Sequence, residues 1–334
     1  MPMKNLRIGL VGFGKMGKEH ARQISYLPSM EIALVVEPHA AHLESARAIL
    51  SSGSTQFFTT LSSALETEGI DGWIITSSTK THIAIAKELL EKGCIILLEK
   101  PIAITGLQAS ELREVVKTDS SNLMLGHILL WSREFQALQA EVEKRGGITS
   151  IHCSRLRPTS HRVEYLGESL FSLVMVHDLY CVQSLMQGAE PLSFAGETRH
   201  HVSEGDDLSI GQLQWQDSAI AILEANYFLP TSQFTQAIDE ISVTGEGWYV
   251  KLAYESGLIT VLDDAGLRTI RVRPFDEEGL DSFFDDALRN EIKHFGALIQ
   301  GKLPVPSGAK YEDACQVQNW IDRLISSSTM REVQ

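Results

Sequence analysis

The sequence predicts an α/β protein: a doubly wound parallel sheet in the first part of the chain, then an α+β part with an open, mostly antiparallel sheet. Three observations carry this. Up to about residue 127, short apolar runs alternate with segments of helical periodicity, and parallel strands need such crossovers. The first apolar run ends in a glycine-rich turn that opens a helix. Beyond that point strand-like runs follow one another with little helix between them, punctuated by Gly, Pro and Asp, so neighbours should pair antiparallel. At 334 residues the chain suits two domains better than one. They are placed at 1–125 and 126–334, with the terminal helices able to pack back on the first.

Each element follows from its residues. "LRIGLVG" is a strand buried on both faces and ending in glycine. Gly17, Ala21, Ile24 and Leu27 recur at helical spacing, so a helix begins inside the turn and stops near Pro28. "EIALVVE" is the second strand and "HAAHLESARAIL" the second helix; "GIDGWIITSS" and "GCIILLEKP" are strands flanking the helix "THIAIAKELLEKG". "ASELREVVKT" and "NLMLGHI" continue the alternation as helix and strand. In the second part, "SIHCSRLRP", "LSFAGETRHHV", "SIGQLQWQ", "SAIAILEANYFLP", "DEISVTGEGWYVKLAY" and "GLITVLDD" read as strands, and "SLFSLVMVHDLYCVQSLMQG" as a helix. Two amphipathic helices close the chain, the second with Ala314, Val317, Ile321 and Leu324 in one stripe.

Composition narrows the function. The formal net charge of -14 argues against a nucleic-acid partner, which needs clustered Lys and Arg. No apolar run is long enough to span a bilayer, and no secretory leader is recognisable. Cys94, Cys153, Cys181 and Cys315 are scattered, without metal-ligand spacing. A reduced, cytoplasmic protein without a structural metal is expected.

The glycines Gly12, Gly14 and Gly17 form G-x-G-x-x-G between a strand and a helix. Gly12 permits the tight turn, Gly14 lets a pyrophosphate approach the backbone, and Gly17 lets the helix lie against the strand. The amides of Phe13, Lys15 and Met16 stand at the helix N-terminus, where a phosphate is favoured. Glu37 ends the second strand about 20 residues on, where a carboxylate accepts from ribose hydroxyls and repels a 2′-phosphate. A Rossmann domain binding NAD, in preference to NADP, is the expectation.

Three later stretches, "ITSSTKTHIAIAKELLEKG", "LLEKPIA" and "MVHDLY", resemble the glucose–fructose oxidoreductase / inositol dehydrogenase (Gfo/Idh/MocA) family. The likeness runs over nearly the whole chain. It implies an N-terminal Rossmann domain and a C-terminal α+β domain whose open sheet forms a homodimer or homotetramer interface. It also implies hydride transfer between NAD(P) and a hydroxyl or keto group of a sugar, sugar derivative or cyclitol. By resemblance, Ser77, Ser78 and His82 match a loop beside the cofactor, although Ser78 and Thr79 replace its usual Pro and Asn. Glu99, Lys100 and Pro101 match the E-K-P motif, with Lys100 between nicotinamide and substrate. His177 matches the acid/base histidine. The chemistry agrees: a histidine can take the hydroxyl proton, a lysine can stabilise charge on the oxygen, and nicotinamide accepts the hydride.

The sequence also departs from that pattern. Relatives often carry Asp one turn before the histidine and three residues after it; here these are Leu173 and Tyr180. Tyr180, on the face of His177, is the expected assistant in proton transfer. Asp178 is adjacent but about 100° round a helix. The residues expected at the substrate are Lys100, Arg155, Asp178 and His177. Arg155, Arg157 and Arg162 are open to two readings, as grips for an anion or as charges on a sheet face. "RHH" at 199–201 reads as a solvated turn, and Trp131, Trp215, Trp248 and Trp320 as core or interface aromatics. Two rival functions stay open: a non-catalytic dinucleotide-dependent sensor or partner-binding protein on the same scaffold, and a glycoside hydrolase that uses bound NAD transiently.

Overall fold

The computed structural model describes residues 5–51, 53–164, 168–200, 206–232, 237–272 and 283–332. The chain divides into two compact units, 1–128 with 285–318, and 129–284 with 319–334. The division falls at 128/129, and 285–318 groups with the first unit.

Unit one contains a six-stranded parallel sheet of β1 (Leu6–Val11), β2 (Met30–Val36), β3 (Gln56–Phe58), β4 (Gly72–Ile75), β5 (Ile96–Glu99) and β6 (Leu123–Gly126). Their order is β3-β2-β1-β4-β5-β6. The helices α1 (Lys15–Ser25), α2 (Ala40–Ile49), α3 (Leu61–Ala64), α4 (Thr79–Glu91) and α5 (Gly106–Ala109) cross between strands. Strands β4, β5 and β6 are buried along their whole length, as Ile- and Leu-rich runs covered on both faces must be. The order reverses between β1 and β4, and beyond the carboxyl ends of such strands doubly wound sheets bind ligands. One expected helix departs from the reading: "ASELREVVKT" gives only the end of α5 and a 3₁₀ turn at Ser110–Leu112. Asn122 intervenes there, its Oδ1 accepting from the Lys117 amide and its Nδ2 donating to Val115 O.

Unit two is built on a nine-stranded sheet. It begins with α6 (Arg133–Glu143), β7 (Ile148–Pro158), α7 (Thr159–Glu164) and α8 (Val176–Leu185), the last entered through a π-helical turn at Phe171–Met175. There follow β8 (Ser193–His200), β9 (Leu208–Gln214), β10 (Ile220–Leu229), β11 (Ile238–Gly245), β12 (Trp248–Ala253), β13 (Leu258–Asp263) and β14 (Gly266–Arg271). The chain ends with α9 (Phe283–Ile299), α10 (Tyr311–Ser327) and β15 (Thr329–Glu332). The order is β14-β13-β12-β11-β7-β10-β9-β8-β15. β8–β9, β9–β10, β11–β12, β12–β13 and β13–β14 pair antiparallel as expected, whereas β7 inserts between β10 and β11, parallel to the first and antiparallel to the second, and β8 lies parallel to β15. Inward residues alternate along β11 and β12, the period-2 signature of a sheet with one covered face. Ala314, Val317, Ile321 and Leu324 are buried, as are the four tryptophans singled out above.

Candidate dinucleotide and catalytic residues

The glycine turn takes three different constraints at three positions. Gly12 has φ +94°, and a Cβ there would lie 2.7 Å from the Ser77 amide nitrogen. Gly17 is pressed against the turn itself, because its Cβ would fall 2.3 Å from Gly12 O. Gly14 differs: a Cβ there would meet nothing within 4 Å. Two glycines therefore serve internal packing, while the third leaves its backbone bare at the N-terminus of α1. That end carries no side-chain cap, and its dipole favours an anion. Lys15 is exposed and Met16 half-buried in the first turn. Thr76 Oγ1 donates to Gly12 O at 2.8 Å and holds the turn from β4, a contact the sequence reading missed.

Glu37 sits where the second strand ends, and is already held. Its Oε2 accepts from the Phe13 amide at 2.7 Å and its Oε1 from the His39 amide at 2.8 Å. Phe13 thus spends its N–H on Glu37 and buries its ring completely. A carboxylate has about four lone-pair sites, so two are left by these amides. Glu37 also lines a cavity of about 440 Å³ with Gly12, Gly14, His42, Ser77 and Thr81. A bare glycine, a helix N-terminus and an anchored acceptor beside one cavity fit the phosphates and a ribose of a dinucleotide.

Ser77 and Ser78 open α4 beside this cavity, with Ser77 Oγ accepting from Thr81 Oγ1 at 2.9 Å. His82 is placed differently from the expectation of a cofactor contact. It is buried, with Nδ1 2.9 Å from Pro101 O and Nε2 3.0 Å from Ser77 O, tying two loops together. Burial lowers its pKa, outweighing the two carbonyls that favour the charged ring. Glu99 likewise turns inward, its Oε1 2.7 Å from His20 Nε2, while Oε2 accepts from the Lys100 amide at 3.2 Å. Lys100 and Pro101 follow, half-buried, across a cis peptide bond. His20, Glu99 and Glu291 offer ligand-type atoms within 4.8 Å of one another, all buried.

In unit two, His177 is half-buried in the first turn of α8 and Tyr180, one turn on, is buried. Arg155 and Asp178 correct the expectation that they meet substrate. Arg155 Nε donates to Asp178 Oδ2 at 2.8 Å, its other arm lies 3.2 Å from Asp239, and both partners are almost fully buried. The reason is strand alternation: Arg155 stands directly across from Asp239 on β11 and on the face that α8 covers. Burial drives the Asp178 pKa up to about 6 against the pull of Arg155. For Arg155, burial opposes the charge, but Asp178 and Asp239 together hold it well above the usual value. Arg157 pairs with Asp239 and Arg162 with Asp207, so all three arginines neutralise internal carboxylates. His201 lies outside the described residues.

Fold and turn together define a dinucleotide-binding scaffold of the doubly wound type. Residues 6–127 match the model of GFO_IDH_MocA, an oxidoreductase family with an NAD-binding Rossmann fold. It is 26% identical to the rhizopine catabolism protein MocA of Rhizobium meliloti over 196 residues, 58% of this chain and 60% of that protein. It is 25% identical to the inositol 2-dehydrogenase of Rhizobium meliloti (strain 1021) over 317 residues, 91% of this chain and 92% of that one. Its fold matches an oxidoreductase from Agrobacterium radiobacter in complex with NAD⁺, L-tartaric acid and magnesium, at TM-score 0.82 and 16% identity. That likeness covers 97% of this chain and 96% of the other. No described helix is long and apolar enough to cross a membrane.

Proposed function

We propose that the protein is an NAD-dependent oxidoreductase acting on a hydroxyl or keto group of a cyclitol, sugar or sugar derivative. The observation that carries this reading is the bare Gly14 beside the anchored Glu37, in a domain whose family binds NAD. The likeness to an inositol 2-dehydrogenase over nine-tenths of the chain supports the substrate class. Bound NAD would supply the hydride acceptor at its nicotinamide ring. Lys100 hydrogen-bonds the substrate oxygen and stabilises charge developing there; His177 takes the hydroxyl proton, assisted by Tyr180. Glu37 favours NAD over NADP because a 2′-phosphate would meet its fixed charge. Assembly through the sheet of unit two, as a homodimer or homotetramer, belongs to the same proposal.

A panel of inositols, sugars and nucleotide-sugars, read by NADH absorbance, tests the function. Lys100→Ala should abolish turnover and leave NADH binding nearly intact; unchanged turnover removes Lys100 from the mechanism. A sensor role, which Leu173 favours by leaving no carboxylate before His177, predicts NADH binding with no turnover on any member of the panel.

A further inference from the structure

The turn that presents Lys100 is braced by a contact that the proposed chemistry does not use. His20 lies on the sheet-facing side of α1, wholly buried, with Nε2 2.7 Å from Glu99 Oε1. Glu99 is the last residue of β5, 6% exposed, and its second oxygen accepts from the Lys100 backbone N–H at 3.2 Å. Two hydrogen bonds thus run from the helix opened by the glycine turn to the main chain of the lysine.

Packing alone does not explain this pair. Gly17, Ala21 and Ile24 already bury the face of α1 against the sheet. A Leu at position 20 would extend that stripe without removing polar atoms from water. Burying an imidazole and a carboxylate is unfavourable unless each satisfies the other. The contact is therefore an expensive way to pack a helix and an effective way to fix an orientation. It fixes the Glu99 side chain, and Glu99 fixes the peptide nitrogen at which Lys100 begins. Placement at a reacting centre is demanding: an error of about 1 Å can slow a reaction about a hundredfold.

We propose that His20 is a positioning residue for Lys100. Acting through Glu99, it holds in one register the helix that seats the pyrophosphate and the lysine that meets the substrate oxygen. The inference rests on the reading of Lys100 given above.

The test uses the full chain and two substitutions. His20→Leu removes the donor and keeps comparable bulk; His20→Gln places an amide nitrogen near the position of Nε2 and keeps the donor. Three quantities are measured: hydrogen exchange of the Lys100 amide, NADH affinity by calorimetry, and kcat and KM on whichever substrate the panel identifies. In His20→Leu the Lys100 amide should exchange about tenfold faster and kcat should fall about tenfold, the effect of one lost hydrogen bond to a charged group. NADH affinity should change less than about twofold. His20→Gln should restore both exchange and kcat. The proposal is overturned if His20→Leu leaves exchange and kcat at wild-type values. It is equally overturned if His20→Gln is as impaired as His20→Leu, or if kcat and NADH affinity fall together. Should His20→Leu fail to fold, Glu99→Gln, which weakens the same link, must raise Lys100 exchange or the idea fails. The exchange measurement needs no substrate, so it judges the brace separately; turnover that survives Lys100→Ala sinks the role of Lys100 instead.

Discussion

Gly14 and Gly17 differ by three positions and should fail in opposite ways. At Gly14 φ is -71°, outside the left-handed region that favours glycine, and a Cβ meets open space. Gly14→Ala should therefore change unfolding free energy by less than about 1 kcal/mol. The same methyl stands where phosphate oxygens would approach the α1 amides. Losing one such bond to a charged group costs about 1.5–3 kcal/mol, so NADH affinity should drop between about tenfold and a hundredfold. At Gly17 the Cβ would sit 2.3 Å from a backbone oxygen that cannot rotate away. α1 must move off the sheet, and overpacking of that kind costs about 1–3 kcal/mol. Urea unfolding and calorimetric titration with NADH separate the cases. Wild-type NADH affinity in a folded Gly14→Ala protein would refute the assignment of Gly14 to the phosphates.

Other outcomes follow from the polar interior. Arg155→Met strands Asp178 and should destabilise unit two by about 3–5 kcal/mol, most of which Arg155→Met with Asp178→Leu should recover; equal losses in both proteins would contradict the pairing. Because burial lowers the folded pKa of His82, the unfolded chain takes up that proton first. Stability should therefore fall as pH drops below about 6.5 toward the lowered folded value. Melting temperatures from pH 7 to 5 should decline less steeply in His82→Gln. Burial pushes up the Cys153 and Cys181 thiols, raises Cys315 to about 11 and raises Cys94 as well; Cys94 is half-buried and the other three are buried, so a thiol reagent at pH 8 should label Cys94 first and the others only on unfolding.

The sequence was most readable where one residue's geometry decides the local structure. Gly12 and Gly17 show the turn and the packing that their spacing implies, and a Cβ at Gly14 would meet open space, because such constraints act within a few residues. The crossover pattern likewise follows from local periodicity. Long-range polar pairing was opaque. Nothing adjacent to Arg155 announces that β11 will set Asp239 across from it, so the sequence leaves open both an anion grip and a charged sheet face. The inward turn of Glu99 was hidden for the same reason, its partner His20 being 79 positions away. One clue was available: His20 falls on the stripe of Gly17, Ala21 and Ile24, and a histidine on an apolar helix face requires a partner. The short α5 was missed because Asn122 acts on backbone groups that a helix-propensity reading treats as free.

The two amides that grip Glu37 have a bearing on coenzyme choice. A side chain tethered at both oxygens cannot swing aside to admit a bulkier anionic ligand, and it loses little rotational freedom when a ribose arrives. On the reading proposed above, the preference for the unphosphorylated coenzyme is set by the protein before a coenzyme arrives. Adding an arginine nearby would leave that obstacle standing; exchanging Glu37 itself, and so releasing Phe13 and His39, is the step on which a redesign toward the phosphorylated coenzyme depends.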